Sequence, residues 1–485
     1  MKKSIISKIA MAFVFVILSA MFLVGCTSLP IDIKTNADVT GNGTLAVQKG
    51  NYLYFVNGYT ALDDMKDGDN QGGNMYSAIY RAKLDDNGNL TYDDNGKLKN
   101  TQRIVDKIVG YNKAQLYIFG DYIYYATPNT EEPKDSEAKV FELTDFYSAK
   151  LNGEDRNLIY KASASSTTQF EFIATENSST ASKKQVYLAI YQEKELIVVN
   201  CFTGAEVFSK DKVDSCVMPR ISDYVAANNN LSVQEQTIYY TRDASEEEAS
   251  SGNVLASVKL GENQETIIAK GTNTYAVSDL NNGGLLYTKK GAHDENGLHF
   301  VAEFGQDGRL LIADAQQVDY INNEKMLLCP FQNGNYQGVV FKNAQEGLTY
   351  TDANGENHVL LNGKNLTMLT ISNGYLYAYD EAKSIYKIDY KADFAADSGK
   401  VIYDTTAKKD AEDEDSENWP EPYFDAAKNF SINGNHIYFF VKYTGENDKS
   451  GYYLNRVQVS AENGKAELVG VLLQKHIAPA KDDEE

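Results

Sequence analysis

The sequence predicts an all-β protein, a single β-propeller of eight (alternatively seven) four-stranded blades. The chain has 34 tyrosines beside one tryptophan and eight prolines, and aromatic residues favour strands. Helical spacing of apolar residues is not sustained anywhere after residue 23. A Tyr-rich hairpin pattern also recurs along the chain, and repeats with a period of about 40 to 50 residues are typical of propeller blades.

The clearest copy of this hairpin is residues 373–389, which begin Asn-Gly-Tyr-Leu-Tyr-Ala-Tyr. A turn at residues 373–374 precedes an alternating strand at 375–379, and a polar bend leads to a second strand at 384–389. Both faces of the first strand are apolar or aromatic. Such a sheet must be covered on both sides, and blades packed around an axis provide that cover.

Eight copies of the hairpin can be identified. Their first strands are predicted at 52–56, 122–126, 186–191, 238–241, 285–288, 326–331, 376–379 and 437–441. Successive copies lie between 40 residues apart (Tyr287 to Leu327) and 70 residues apart (Tyr54 to Tyr124). Forty residues is near the minimum for a four-stranded blade, and the longer steps contain insertions. The third, fifth and sixth copies depart most from the pattern, which leaves seven blades as the alternative.

Residues 1–25 are predicted to be a lipoprotein signal peptide that precedes the fold. Three lysines lie within the first eight residues, and the apolar run that follows at 10–23 is short for a membrane span. The run ends in Leu-Val-Gly-Cys, which resembles the bacterial lipobox. That resemblance implies that the thiol of Cys26 receives diacylglycerol, and two acyl chains give stable anchoring. The alternative is an ordinary secretory signal with an unrelated cysteine.

The predicted order of segments is the signal peptide, the lipidated cysteine and a tether at 26–38, the propeller at 39–477, and a disordered acidic tail at 478–485. The net charge of −22 becomes −25 without the three lysines of the signal peptide, and such a chain repels nucleic acid. With the lipobox, this charge leads us to expect a lipid-anchored protein on the extracytoplasmic face of the cell membrane. Its expected partners are the membrane, through the anchor, and an unidentified protein, glycan or cationic ligand, with no nucleic acid.

The hairpin motif combines an apolar-Tyr-Tyr strand with a second strand of the form Leu/Ile-Tyr-Lys/Arg and an Asn-Gly or Asp-Gly turn. Residues 121–125 and 146–153 match this full motif most closely, and 80–84 and 384–388 repeat its second strand. This motif resembles a bacterial propeller family named for its similarity to the β-propeller of prolow-density lipoprotein receptor-related proteins, which is common in lipoproteins of Firmicutes. The resemblance covers most of residues 44–473. It implies the fold and an envelope location in a Gram-positive bacterium, without a reaction.

The long insertions are predicted to lie on one face of the ring, which we call the insertion face. In a four-stranded blade, the loops between the second and third strands and the loops between blades emerge together. Five acidic insertions fall in these classes, at 59–75, 128–144, 243–252, 405–429 and 443–451. The acidic loop at 85–101 falls on the opposite face.

Insertions gathered on one side of a repeat array mark its binding side, and a negative face attracts cations and amines. The candidate binding residues are Asp63, Asp64, Asp67, Asp69, Glu246, Glu247, Asp413, Asp415, Trp419 and Tyr423. Two alternatives remain open. The acidic loops could serve only to keep a secreted protein soluble, and Trp419 could pin its long loop to the propeller surface.

The sequence carries no catalytic motif. The five histidines show no i, i+4 pair, and a Gly-x-Ser-x-Gly elbow, a phosphate-binding loop and a Rossmann fingerprint are all missing. No enzyme activity, cofactor or metal site is therefore predicted. Residues 67–72 and 85–89 partly match a calcium loop but are interpreted as turns, and a weak calcium site built by several loops stays open.

Three cysteines remain besides Cys26, namely Cys201, Cys216 and Cys329. Their spacing fits neither a metal site nor a disulfide framework, so they are expected to be buried free thiols. A Cys201–Cys216 disulfide is the alternative.

The predicted function is that of a membrane-anchored binding or scaffolding propeller at the cell envelope. The first alternative is an envelope enzyme that acts on glycans with carboxylates from the insertion face. The second is an architectural subunit of a membrane complex. Carboxyl groups with raised pKa values would favour the enzyme, and a large apolar patch on the rim would favour the subunit.

Overall fold

The computed structural model describes residues 36–59, 78–94, 96–106, 114–129, 143–163, 169–218, 236–270, 272–277, 285–289, 297–301, 309–313, 331–332, 335–336, 338–343, 347–352, 354, 356–361, 364–372, 375–380, 384–391, 399–403, 422–423, 430–445, 450–461, 464, 466–472 and 476–477. Regular structure in this part of the chain is β-strand, apart from the short 3₁₀ turns Lys183–Gln185 and Glu246–Ser251. A helix with the length and apolar character of a membrane span does not occur within these ranges.

The strands form eight main antiparallel sheets, numbered here along the chain. Sheet 1 contains Val39–Thr40, Ala46–Lys49, Tyr52–Val56, Ile79–Lys83 and Thr101–Val105. Sheet 2 contains Leu116–Phe119, Tyr122–Pro128, Thr144–Lys150 and Asn157–Lys161. Sheet 3 contains Gln169–Ala174, Val186–Gln192, Glu195–Asn200 and Glu206–Lys210. Sheet 4 contains Val213–Val217, Thr237–Arg242, Val254–Lys259 and Glu265–Lys270.

The second half of the chain repeats this plan. Sheet 5 contains Thr272–Val277, Leu285–Lys289, Gly297–Val301 and Arg309–Ala313. Sheet 6 contains Val339–Asn343, Gly347–Thr351 and Asn357–Val359. Sheet 7 contains Thr367–Ser372, Tyr375–Tyr379, Ile385–Ile388 and Lys400–Tyr403. Sheet 8 contains Pro422–Tyr423, Phe430–Asn433, His436–Gly445, Ser450–Gln458, Glu467–Leu468 and His476–Ile477.

In sheets 1 to 7 each strand pairs with the next strand of its sheet, so connections alternate between the two faces of the ring. In sheet 8, Pro422–Tyr423, Phe430–Asn433 and His476–Ile477 all pair with His436–Gly445. Seven of the eight predicted first hairpin strands coincide with a central strand of their sheet. Of the sixth predicted strand, at 326–331, only Phe331 is described. It pairs with Tyr336 in a hairpin of Phe331–Gln332 and Asn335–Tyr336. The described part of sheet 6 begins at Val339, so a strand at 326–330 stays a prediction.

Neighbouring sheets share apolar cores. Tyr124 of sheet 2 packs against Phe172 of sheet 3, with ring centroids 5.4 Å apart. Tyr350 of sheet 6 packs against Tyr390, just after the third strand of sheet 7, at 5.3 Å, and Tyr403 of sheet 7 packs against Phe439 of sheet 8 at 5.5 Å. Clusters of buried side chains join sheets 3 and 4 and sheets 4 and 5. The two apolar faces predicted from the Tyr-rich strands are thus buried between neighbouring sheets.

The last sheet packs against the first and closes the ring. One core contains apolar side chains from sheets 8, 1 and 2 together. A short strand between the third and fourth strands of sheet 1, Gly58–Tyr59, joins sheet 8 instead and pairs with Ser450–Gln458. This closure and the order of the sheets define a β-propeller, which confirms the predicted fold class, with eight main sheets in the described residues.

A buried asparagine holds this closing seam. Asn57 is fully buried, its Nδ2 donates to the carbonyl of Val471 at 3.0 Å, and its Oδ1 accepts from the Val471 amide at 2.6 Å. The backbone carbonyl of Asn57 accepts a hydrogen bond from the Leu454 amide at 3.0 Å. The side chain thus acts as an additional peptide group between the two ends of the chain and satisfies backbone groups that burial would otherwise leave unpaired.

Candidate functional site

Of the ten predicted binding residues, the structure describes the side chains of Glu246 and Glu247. Tyr423 lies in the first short strand of sheet 8, where its backbone pairs with Phe440. The other predicted positions lie outside the described residues: Cys26, Asp63, Asp64, Asp67, Asp69, Asp413, Asp415 and Trp419. Their predicted grouping with Glu246 and Glu247 therefore stays a prediction.

Glu246 and Glu247 are exposed on the insertion face. They begin the 3₁₀ turn Glu246–Ser251, which connects the second and third strands of sheet 4. The next residue, Glu248, turns inward instead. The amide and hydroxyl of Ser245 each donate to Glu248 Oε2 at 3.0 Å, which fixes the start of the turn.

Arg242 ties this turn to the body of sheet 4. Its side chain is 5% exposed, and its guanidinium contacts Glu248 Oε2 at 2.9 Å and Glu265 Oε1 at 2.7 Å. A second bond runs from Arg242 Nε to Glu265 Oε2 at 3.1 Å, and Tyr240 donates to the same oxygen at 2.6 Å. Glu246 and Glu247 therefore project from a turn fixed by charge-assisted hydrogen bonds.

These contacts also set the protonation of the inward carboxylates. The hydrogen bond from Arg242 is the main reason that the pKa of Glu248 falls to about 2. Burial acts to raise the pKa of Glu265, but hydrogen bonds from Arg242 and Tyr240 outweigh it, so that pKa is lowered too. Both groups are ionised at neutral pH and serve to hold the turn.

A second feature lies on the opposite face, where turns of sheet 8 and sheet 1 meet. A cavity of about 290 Å³ opens there, and we call it the amide cleft because amide side chains dominate its lining. It is lined by Gln48, Leu53, Leu84, Asn87, Gly88, Asn89, Asn433, Gly434, Asn435, His436, Tyr438, Arg456, Gln458 and Ser460. These residues are far apart in the sequence and carry no shared pattern, since residues 87 and 435 come together only when the ring closes.

The charged groups of the amide cleft are neutralised. Arg456, with 4% of its side chain exposed, donates from Nε to Glu467 Oε2 at 2.9 Å. Burial, reinforced by the neighbouring Arg456, lowers the pKa of His436 to about 4, so its imidazole is neutral at pH 7. Its Nε2 is buried and has no hydrogen-bond partner in the described structure.

The turn at 85–89, which borders the amide cleft, is confirmed as a turn. Asp85 Oδ1 accepts from the amides of Asn87 at 2.9 Å and Asn89 at 2.7 Å, and these backbone bonds lower the pKa of Asp85. Asp352 makes the same pattern with the amides of Asn354 and Glu356 in sheet 6, at 2.8 and 2.9 Å. The repeated Asp-x-Asn-Gly sequence is thus a recurrent loop structure.

Asp352 also belongs to a compact group with Glu356 and His358, whose ligand atoms lie within 4.8 Å of one another. Asp352 accepts hydrogen bonds from the backbone amides of its own loop, and these bonds explain its position. We therefore assign this group a structural role.

Two cysteines are described, and both are free thiols, as predicted. Cys201 is buried, and Cys216 is half-buried. Burial raises the pKa of both thiols, which makes them poor nucleophiles. Cys329 lies outside the described residues.

Comparisons with known proteins place the chain in no family. No family model matches it, and a search of curated proteins also finds no match. Among solved structures it is similar to an acylaminoacyl peptidase from Pyrococcus horikoshii, with 12% identity, a TM-score of 0.36, and coverage of 86% of this chain and 62% of that chain. The chain therefore spans about three fifths of the length of that peptidase.

Two further similar structures are covered over most of their own length. One is the β-propeller domain of the Trilobed protease from Pyrococcus furiosus, with 11% identity, a TM-score of 0.36, and coverage of 89% of this chain and 97% of that chain. The other is BamB from Moraxella catarrhalis, with 10% identity, a TM-score of 0.36, and coverage of 74% and 88%. At these TM-scores the likenesses carry no functional argument, and the fold assignment rests on the sheet order and packing described above.

Proposed function

We propose that the protein is a binding or scaffolding propeller held at the outer face of the cell membrane by lipid on Cys26, and that its insertion face engages a cationic partner. The observation that carries this proposal is the turn at 246–251, where Arg242 fixes the backbone and two carboxylates remain exposed. A fixed display of charge lowers the entropy lost on binding. The chain's net charge of −22 adds long-range attraction for cations.

The carboxyl groups support binding over catalysis. Among the described residues, every carboxyl group with a resolved pKa shift has its pKa lowered, namely Asp85, Asp106, Glu248, Glu265 and Asp352. A general acid for glycan hydrolysis needs a raised pKa. These groups are therefore suited to structural and binding roles. The resemblance of the hairpin motif to the lipoprotein propeller family fits the same proposal.

The binding proposal predicts salt-sensitive attraction of a cationic peptide. Decalysine should bind the wild-type protein, and its affinity should fall steeply between 50 and 300 mM NaCl because exposed ion pairs are screened. The double variant Glu246→Gln/Glu247→Gln should weaken binding about fivefold, since each exposed ion pair contributes about 0.5 kcal/mol. Titration calorimetry measures both effects.

The matched control is Glu154→Gln/Glu262→Gln, which removes the same charge from exposed turns on the opposite face. This control should bind decalysine within about twofold of wild type. Equal weakening by both double variants would show that only net charge matters and would contradict a defined insertion-face site. An affinity indifferent to salt would also contradict it.

The anchor has its own test. In bacteria that express the full chain, intact-protein mass spectrometry should find a mature protein that begins at Cys26 and carries diacylglycerol. Cys26→Ser should release the protein from the membrane fraction, because the thiol is the acceptor atom. A mature chain that begins elsewhere, or an unmodified Cys26 still joined to Gly25, would contradict the lipid anchor and leave the decalysine result unaffected.

A further inference from the structure

We propose that the amide cleft is a binding site for a neutral, polyhydroxylated ligand about the size of one sugar ring. The site is separate from the insertion face and does not depend on the proposal for that face. It is formed where the first and last sheets meet, between the turn at 85–89 and the turn at 433–436.

The lining of the cleft is mostly polar. Six of the lining side chains are amides, namely Gln48, Asn87, Asn89, Asn433, Asn435 and Gln458. Asn433 already donates to the carbonyls of Thr40 and Ala46, and Gln48 donates once to that of Gly50. A side-chain amide offers both donors and an acceptor, so the remaining groups match hydroxyls, since each hydroxyl both donates and accepts.

The Nε2 of His436 is buried beneath the cleft surface and has no protein partner in the described structure. A buried polar atom without a partner carries a free-energy penalty. A hydroxyl can satisfy this nitrogen in either tautomer, because it accepts from Nε2–H or donates to bare Nε2. A ligand hydroxyl would remove the penalty once the imidazole turns toward the cleft.

The charge of the groups that line the amide cleft also restricts the ligand. Arg456 is paired with Glu467, and His436 is neutral at pH 7, so the amide cleft has no unpaired charge among its described groups. An anionic ligand would meet no free cation there and would be repelled by the overall charge of −22. A cationic ligand would meet no free carboxylate in the lining. The lining thus selects for an uncharged ligand.

The volume sets the ligand's size. About 290 Å³ lies just below the range of roughly 300 to 1,000 Å³ that is usual for small-molecule sites. This space suits one ring, either a free monosaccharide or the terminal residue of a glycan, with the rest of the glycan outside.

The test is saturation-transfer NMR followed by titration calorimetry of the full chain with glucose, galactose and N-acetylglucosamine at pH 7. At least one should bind with a Kd of about 1 mM or tighter. Glucuronate and glucosamine, which carry one charge each, should bind at least tenfold more weakly. If the methyl glycoside of the bound sugar also binds, the cleft accepts the end of a glycan; if only the free sugar binds, it takes a monosaccharide.

Two variants locate the site. His436→Phe keeps a ring of similar size without nitrogen and should weaken binding about tenfold, the effect of one lost hydrogen bond of about 1.4 kcal/mol. Asn87→Ala removes an exposed amide from the cleft rim without touching the core and should weaken binding about threefold. This second variant keeps the test valid if His436→Phe fails to fold.

The matched control is Asn354→Ala, which truncates the same position of the equivalent Asp-x-Asn-Gly loop in sheet 6, away from the cleft. It should leave the affinity unchanged. The proposal would be overturned if none of the three neutral sugars binds, if glucuronate binds as tightly as they do, or if Asn354→Ala weakens binding as much as Asn87→Ala.

Discussion

Arg242→Met is expected to lower the free energy of unfolding by about 3 kcal/mol, because it removes the shared cation of two partly buried carboxylates. The guanidinium is 5% exposed and contacts both Glu248 and Glu265. Methionine fills similar space but leaves both carboxylates without their main partner. Urea denaturation at pH 7 measures the loss.

Arg156→Met is the control for this variant. Arg156 forms an ion pair with Asp106, but its side chain is 36% exposed, so water can replace the interaction. Its loss should lower the free energy of unfolding by less than about 1 kcal/mol. Similar losses for the two variants would mean that the Arg242 network is no stronger than a surface ion pair.

The same network predicts a pH dependence. Arg242 holds the pKa of Glu248 at about 2 in the folded protein, below the unfolded value of about 4.3. Stability from this lowered pKa is fully present above the unfolded value and is lost as the pH falls toward 2. Wild type should therefore lose more stability than Arg242→Met between pH 5 and pH 3. Equal losses would contradict the coupling.

Gly153→Ala should also lower the free energy of unfolding by about 3 kcal/mol or more. Gly153 has φ of +85°, a left-handed conformation that side chains disfavour, and an added Cβ would lie 1.9 Å from the carbonyl oxygen of Ile104. That oxygen belongs to the backbone of the last strand of sheet 1, so the clash can be relieved only by moving sheets 1 and 2 apart. Urea denaturation measures the loss.

Gly88→Ala separates the conformational penalty of a positive φ from the steric clash. Gly88 has φ of +79°, and its added Cβ would meet no atom within 4 Å. It should show only the conformational penalty of about 1 kcal/mol. A loss for Gly153→Ala no larger than that for Gly88→Ala would show that the two sheets can separate freely at this turn.

Much of the fold was predictable because its signal is local. Strands such as Tyr375–Tyr379 carry apolar residues on both faces, and that pattern alone requires cover from two neighbours. The sixth copy shows the limit of such a local signal, since the apolar run at 326–331 and the strand Val339–Asn343 both match the pattern. Local patterns cannot decide which of two such segments is the first hairpin strand of a blade.

The functional features were less predictable because they join distant residues. Glu246 and Glu247 were found as acidic loop residues, but their fixed turn depends on Glu265, which comes from a different strand. The amide cleft needs the turns of sheets 1 and 8 side by side. Single asparagines in loops carry no signal of that proximity, and the neutral state of His436 follows only from its burial.

The strand Gly58–Tyr59 pairs with residues 452–453, about 390 positions later in the chain. A chain synthesised from its N-terminus must therefore keep the start of its ring open until nearly all of it has been made. Any product truncated before residue 450 presents an uncovered strand edge and apolar surface to proteases and to other unfinished copies. The propeller thus distinguishes complete from incomplete chains, and protein quality control can act on that difference.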